Sequence, residues 1–302
     1  MSFDKNITVE LIPIFLKTSK EQKETRRNML QQAIDFKAES DALYGLLQPL
    51  TDEALNDATQ FKGWTINTIL QHLHYFNYAA LVSLEDGPEI RQLLDGLRKS
   101  QQRGETLVDY TDSKLNGAKG RSLLELWRNY YTDMAHAFQE ADPKKRIKWA
   151  GPDMSVLSSI TARLMETWAH GQGVYDLLGL IREDRDYIKN IVVLGNNTFA
   201  WTFSNRKEEV PDRKPFLKLH APSKGIWKFN DPSEKDLIEG AATEFCQVVT
   251  QTRNIRDTDL NVVGETAERW MAVAQCFAGP PQLPPKPGTR FSRIDENQSQ
   301  TK

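Results

Sequence analysis

The stretch Thr161-Ala162-Arg163-Leu164-Met165-Glu166-Thr167-Trp168-Ala169-His170-Gly171-Gln172 decides how this chain is read. It lies inside a longer run, residues 158–178, that reads as one helix closed by Gly179, where a C-cap glycine belongs. Glu166 and His170 are four apart, so a helix stands them one above the other on the same face. A carboxylate oxygen and an imidazole nitrogen so placed can ligate one cation, and helical bundles build metal sites from inward-facing Glu and His. By itself the pair is a weak signal, because Glu and His four apart also recur on exposed helices. A third ligand on another helix would strengthen it.

Three further helical runs accompany this one. Residues 27–47 carry Met29, Ile34, Leu43 and Leu47 among good helix formers, and residues 65–84 repeat Ile66, Ile69, Leu70, Leu73 and Phe76 at the three-and-four spacing of a buried face. Residues 122–139 continue through Leu123, Leu126, Trp127, Tyr130, Met134 and Phe138. Four such helices imply a bundle. The second contains Gln71-His72-Leu73-His74, which supplies two candidates for the third ligand. His72 falls beside Ile69 and Phe76 at one margin of the apolar face, and His74 falls near the other. Spacing does not choose between them. Two imidazoles and one carboxylate would leave coordination positions open, which suits zinc, iron or nickel with water or substrate completing the shell.

After about residue 190 the texture changes. Ile191-Val192-Val193-Leu194 and Phe199-Ala200-Trp201-Thr202-Phe203 are β-branched and aromatic, as in strands. Phe216-Leu217-Lys218-Leu219-His220 and Gly225-Ile226-Trp227-Lys228-Phe229 flank a Pro-containing turn and predict a hairpin. Residues 236–250 and 265–277 read as helices. The tail from Gly279 holds Pro280, Pro281, Pro284, Pro285 and Pro287, and it is expected to be extended and then disordered. The expected class is α+β, divided into an N-terminal extension (1–25), a metal-binding helical bundle (26–185), a small α+β domain (186–280) and a Pro-rich polar tail (281–302).

Bulk properties narrow the function. The 302 residues are 39% hydrophobic and 26% charged with net charge -2, so the basic surface that nucleic acid requires is missing. No window has the eighteen or so apolar residues of a membrane span, and the N-terminus shows no signal peptide, so a cytoplasmic location is expected. Cys246 and Cys276 have no CxxC spacing. No GxGxxG, Walker, GxSxG or HExxH motif supports nucleotide binding or common hydrolase chemistry.

Four segments carry a resemblance. The run 161–172, Trp149-Ala150-Gly151-Pro152-Asp153-Met154-Ser155, Gly63-Trp64-Thr65 and Trp270-Met271-Ala272-Val273-Ala274-Gln275-Cys276-Phe277-Ala278-Gly279-Pro280-Pro281 are similar to the maleylpyruvate isomerase-like branch of the DinB superfamily. The resemblance spans most of residues 30–285. It implies a DinB-like four-helix bundle followed by a small domain reminiscent of sterol-carrier folds. It also selects His72 over His74, because the family's ligand is the His of a His-Leu pair, and it makes Glu166 and His170 the other ligands. The family's functional arginine falls near Arg253. Family members use a thiol such as mycothiol, activated by zinc, to isomerise a cis double bond in an unsaturated diacid, and other DinB-like proteins are thiol transferases. Reversible thiolate addition would let that bond rotate before the thiol leaves.

The expected activity is therefore a metal-dependent isomerase or thiol transferase acting on a small unsaturated acid. The expected cofactors are a divalent metal (zinc, with nickel or iron as alternatives) and a low-molecular-weight thiol. Rival readings are a small-molecule-binding scaffold, or a re-purposed isomerase or cyclase of secondary metabolism. The expected partner is a small-molecule substrate, with no nucleic acid, no membrane and no oligomeric state assigned. Relatives carry acids five residues after the first ligand and three after the last, where this chain has Asn77 and Gly173. Those two positions, with Trp149 at the edge of a pocket and Arg253, are the expected substrate contacts, and catalytic groups beyond the metal ligands are not assigned.

Overall fold

The computed structural model describes residues 30–150 and 153–292. The expected N-terminal extension, Met29, Gly151, Pro152 and the end of the tail lie outside the described residues. In chain order the first part is α1 (Gln31–Leu47), α2 (Ile66–Ser83), α3 (Pro88–Gln102), α4 (Leu107–Lys114), α5 (Gly120–Glu140), a ribbon of β1 (Arg146–Ile147) and β2 (Met154–Ser155), and α6 (Val156–Leu178). Helices α1, α2, α5 and α6 are the four-helix bundle. Their apolar stripes meet in a core that includes Phe36, Leu43, Leu70, Trp127, Phe138 and Leu164, all at 0% exposure. Full burial of such a side chain contributes roughly 1.5–3 kcal/mol.

Local chemistry fixes where the two ligand-bearing helices begin and end. Thr65 caps α2 by accepting a hydrogen bond from the Thr68 amide at 3.1 Å, and Ser155 caps α6 by accepting one from the Ser158 amide at 3.1 Å. Gly179 ends α6 in the left-handed conformation at φ 64°. Two features of the 84–119 segment were not expected from the sequence. Helix α3 starts with Pro88 in its first turn. Helix α4 is capped by Thr106, which accepts from the Asp109 amide at 3.1 Å.

The second part contains α7 (Lys189–Asn197), α8 (Phe199–Ser204), β3 (Phe216–His220), β4 (Ile226–Phe229), β5 (Leu237–Ala241), α9 (Ala242–Val249), β6 (Asn261–Val263) and α10 (Glu265–Val273). The sheet order is β4-β3-β5-β6, with β3 and β5 parallel and the other pairs antiparallel. The fold is α+β, and the hairpin forms where expected. Two segments differ. Residues 189–204 are helical rather than extended, because Ile191, Val192, Gly195, Phe199 and Phe203 recur at helical spacing and pack as one face on Phe245 and Trp270. Packing thus overrides β-propensity. The 236–250 segment starts as strand β5, since β3 and β6 satisfy its backbone on both sides, and turns helical only at Ala242.

Helix α6 belongs to both halves. Ile160, Leu164 and Val174 enter the bundle core, whereas Met165 and Trp168 enter the second core. The helix carrying Glu166 and His170 is therefore clamped from two sides. The described tail has no helix or strand and is tied down along its length. Gln251 Nε2 donates to Gln282 O at 3.0 Å, Asn254 Nδ2 to Pro285 O at 2.8 Å, and the Phe291 amide to Gln60 Oε1 at 2.7 Å.

His74 gives this fold an acid-sensitive position. It is 6% exposed, edge-on to Tyr130 at 5.2 Å, and burial pushes it down to about 4. The folded chain holds it neutral while the unfolded chain protonates below about 6.5. Protons therefore favour unfolding, and stability falls as pH drops from 6.5 toward 4. His74→Leu should remove about 2 kcal/mol of the wild type's loss between pH 7 and pH 5. Urea unfolding of both proteins at the two pH values measures this, and equal losses would refute it.

Candidate metal centre

Helix α2 presents His72 and α6 presents Glu166 and His170 to one point. Glu166 Oε2 lies 3.2 Å from His72 Nε2 and 3.3 Å from His170 Nε2. The three donor atoms all lie within 4.8 Å of one another. Both histidines are 8% exposed. Burial pushes His72 down to about 4, against the hydrogen bond to Glu166, so at neutral pH it has the uncharged form that ligates metals. Burial alone would raise Glu166, but hydrogen bonds with His170 and His72 hold it well below the usual carboxylate range. An anionic carboxylate beside uncharged imidazole is the donor set that zinc, nickel or iron takes.

Aromatic rings set the imidazole orientations. Trp64 stacks on His170 at 5.5 Å and 5°, Phe61 meets His170 edge-on at 4.9 Å, and Phe76 lies 4.9 Å from His72. The Nδ1 atoms of both histidines are buried with no hydrogen-bond partner among the described residues. Packing therefore does here what an acceptor on the second ring nitrogen does in many metal sites. Trp64 is both a core neighbour and part of the cavity wall. His74 faces Tyr130 and not Glu166, which is why the spacing of its helix could not settle the choice.

The three side chains open onto a cavity of about 400 Å³, which is lined by the 61–64 loop, the start of α4, α6 and the tail. None of the four expected substrate contacts lines it. Asn77 is fully buried and accepts from Arg163 Nε at 3.0 Å. A Cβ on Gly173 would sit in ordinary contact with Thr59 at 3.6 Å and Phe61 at 3.8 Å, so the position faces the 59–61 loop and not the cavity. Trp149 borders separate clefts with Leu94 and Leu97. Arg253 is spent on a two-pronged ion pair with Asp176, at 2.6 and 2.7 Å. The cations that do line the cavity are Lys62 and Arg290, to which no motif pointed.

A family model described as the mycothiol maleylpyruvate isomerase N-terminal domain matches residues 36–175, which hold all three candidate ligands. Two proteins of Mycobacterium tuberculosis, from two strains and both named as uncharacterised, are 35% identical to this chain over 250 residues. The match covers 82% of this chain and 95% of each of theirs. Among solved structures, the mycothiol-dependent maleylpyruvate isomerase and a histidine-to-alanine mutant of it match with TM-score 0.46 and 13% identity. That match covers 72% of this chain and 87% of each of those chains. The bundle with two histidines and a glutamate converging between α2 and α6 is a DinB-like scaffold. Within that scaffold, the chain belongs, through residues 36–175, to the mycothiol maleylpyruvate isomerase N-terminal domain family. No helix among the described residues is long and apolar enough to cross a membrane.

Proposed function

We propose that this chain is a metal-dependent, thiol-using isomerase, or a thiol transferase, for a small unsaturated acid. The observation that supports it most directly is the convergence of His72, Glu166 and His170 in the wall of a cavity of about 400 Å³. That volume is in the range of small-molecule sites. His72, Glu166 and His170 would hold zinc, nickel or iron. Such an ion supplies one thing, a lowered pKa for a thiol or water in its shell, and hence a nucleophile at neutral pH.

The chain's own residues do the rest. Leu107, Val108 and Met165 give the cavity part of an apolar wall. The protein's own thiols are unsuited to attack. Burial raises Cys246 well above the ordinary thiol range, and burial together with the Glu166 charge raises Cys276. A reacting thiol has to enter from solution, in keeping with the thiol in the family's name. Among the described residues, Glu166 is the only carboxylate lining the cavity. Isomerisation by addition, rotation and elimination transfers no net proton, so it is the reaction least affected by Asn77 and Gly173 standing where relatives have acids.

The test is to load the full chain with zinc, offer cis-unsaturated diacids with mycothiol, glutathione or cysteine, and follow the alkene by proton NMR. Thiol-dependent turnover that disappears in Glu166→Ala is expected. A zinc-loaded protein inert with every thiol would overturn the reading and favour a binding scaffold.

A further inference from the structure

We propose that Lys62 and Arg290 form an anion-binding subsite in this cavity, and that it receives a carboxylate of the substrate. This deepens the reading above and transfers polar recognition away from Arg253, whose guanidinium is occupied by Asp176.

Lys62 follows Phe61 in the loop before α2, and Arg290 lies more than two hundred residues later on the tail. The tail brings them together. Its anchoring by Gln251, Asn254 and the Phe291–Gln60 hydrogen bond returns the chain from the second core to the 60–62 loop. The Phe61 ring sits next to both cations, with Lys62 Nζ 5.4 Å and Arg290 Cζ 4.9 Å from its centroid. The same ring meets His170 edge-on at 4.9 Å, so both charges stand within one aromatic ring of the metal ligands.

Both cations are held by neutral partners. Arg290 Nη1 donates to Gln251 O, and Lys62 Nζ donates to Gln282 Oε1 at 2.9 Å. Among the described residues neither makes an ion pair, whereas Arg253, Arg182 and Arg269 are each matched to a carboxylate. Burial and then the neighbouring Arg290 charge depress Lys62. Burial and then the Arg253 charge depress Arg290, with Asp176 opposing. Lys62, exposed at the rim, and Arg290, half-buried, are like charges that repel each other, and an anion bound by both would relieve that repulsion. Guanidinium offers a planar fork and ammonium a point charge, a combination suited to carboxylate. Phe277, Met165 and Ala169 also line the cavity, which suits a short carbon chain between that carboxylate and the histidines.

The test is calorimetric titration of the zinc-loaded full chain with maleate and with its dimethyl ester, which has the same skeleton without charge. The wild type is expected to bind maleate and to bind the ester more weakly. Arg290→Gln and Lys62→Gln should each weaken maleate by about ten- to a hundred-fold and leave ester binding and zinc content unchanged. Arg290→Lys should recover part of the loss. Equal weakening of acid and ester would show that Arg290 only braces the tail and would overturn the subsite. So would maleate binding that ignores both substitutions, or a wild type that binds no maleate. Failure of the two proposals is separable. Charge-dependent maleate binding without thiol-dependent turnover sinks the reaction alone, and turnover whose KM is unmoved by both variants sinks the subsite alone.

Discussion

His170→Ala is expected to take the protein from close to one bound divalent ion per chain to background. The substitution removes one of three donors that lie within 4.8 Å of one another and leaves a carboxylate with a single imidazole. Loss of a group that merely orients a ligand costs 10–100-fold in affinity, so loss of a ligand should exceed about 100-fold. Glu166→Ala should behave in the same way, and His136→Ala, at an exposed position, should not. Plasma mass spectrometry on chelator-free preparations offered zinc, nickel and iron provides the measurement. A wild type that takes up none of the three, or a variant that retains its metal, would reduce the cluster to an ordinary hydrogen-bonded group of buried side chains. Affinity should also weaken on acidification, since protons compete for the imidazoles.

Arg182→Met should destabilise the protein by about 3–5 kcal/mol, the cost of stranding one partner of a buried ion pair. Arg182 and Glu39 are 6% and 2% exposed and bonded to each other. Burial already raises Glu39, and the Arg182 charge is the largest force opposing that rise. The same guanidinium donates to Trp168 O at 2.7 Å, reaches Asp184 at 3.3 Å and lies 4.6 Å over the Trp168 ring. Asp184 in turn accepts from Trp168 Nε1 at 2.8 Å and from Thr243 Oγ1 at 2.6 Å. The network therefore ties α1, α6 and α9 together one helical turn or less from His170. Adding Glu39→Leu to Arg182→Met should recover part of the loss, because the Glu39 charge is then no longer stranded, while Asp184 keeps only its hydrogen bonds from Trp168 and Thr243. Urea unfolding of the single and double variants tests this, and additive losses would show that the pair is not coupled.

Much of the bundle is legible in the residues. The period of Ile66, Ile69, Leu70 and Leu73 and the Gly179 stop are local properties, and the helices form where these place them, although Ser155 starts α6 ahead of the expected 158. The small domain is less legible. Ile191, Val192 and Phe199 have strand-like side chains, yet they lie in helices because Phe245 and Trp270 offer them a helical groove. Strand β5 was hidden for the complementary reason, since β4 separates it in the chain from its partner β3, and α9 separates it from its partner β6.

The site divides along the same line. Glu166 and His170 pair through the pitch of a single helix, so the sequence by itself determined that half of the centre. His72 and His74 lie on different faces of α2, and only the packing of α2 against α6 decided which one meets Glu166. Asp176 claims Arg253 from 77 residues away, and the tail carries Arg290 to the loop holding Lys62. Helical pitch is set by hydrogen bonds between near neighbours and is therefore written locally. Which charge finds a partner, and which is left facing a cavity, depends on contacts between distant segments that exist only once both cores have closed around α6.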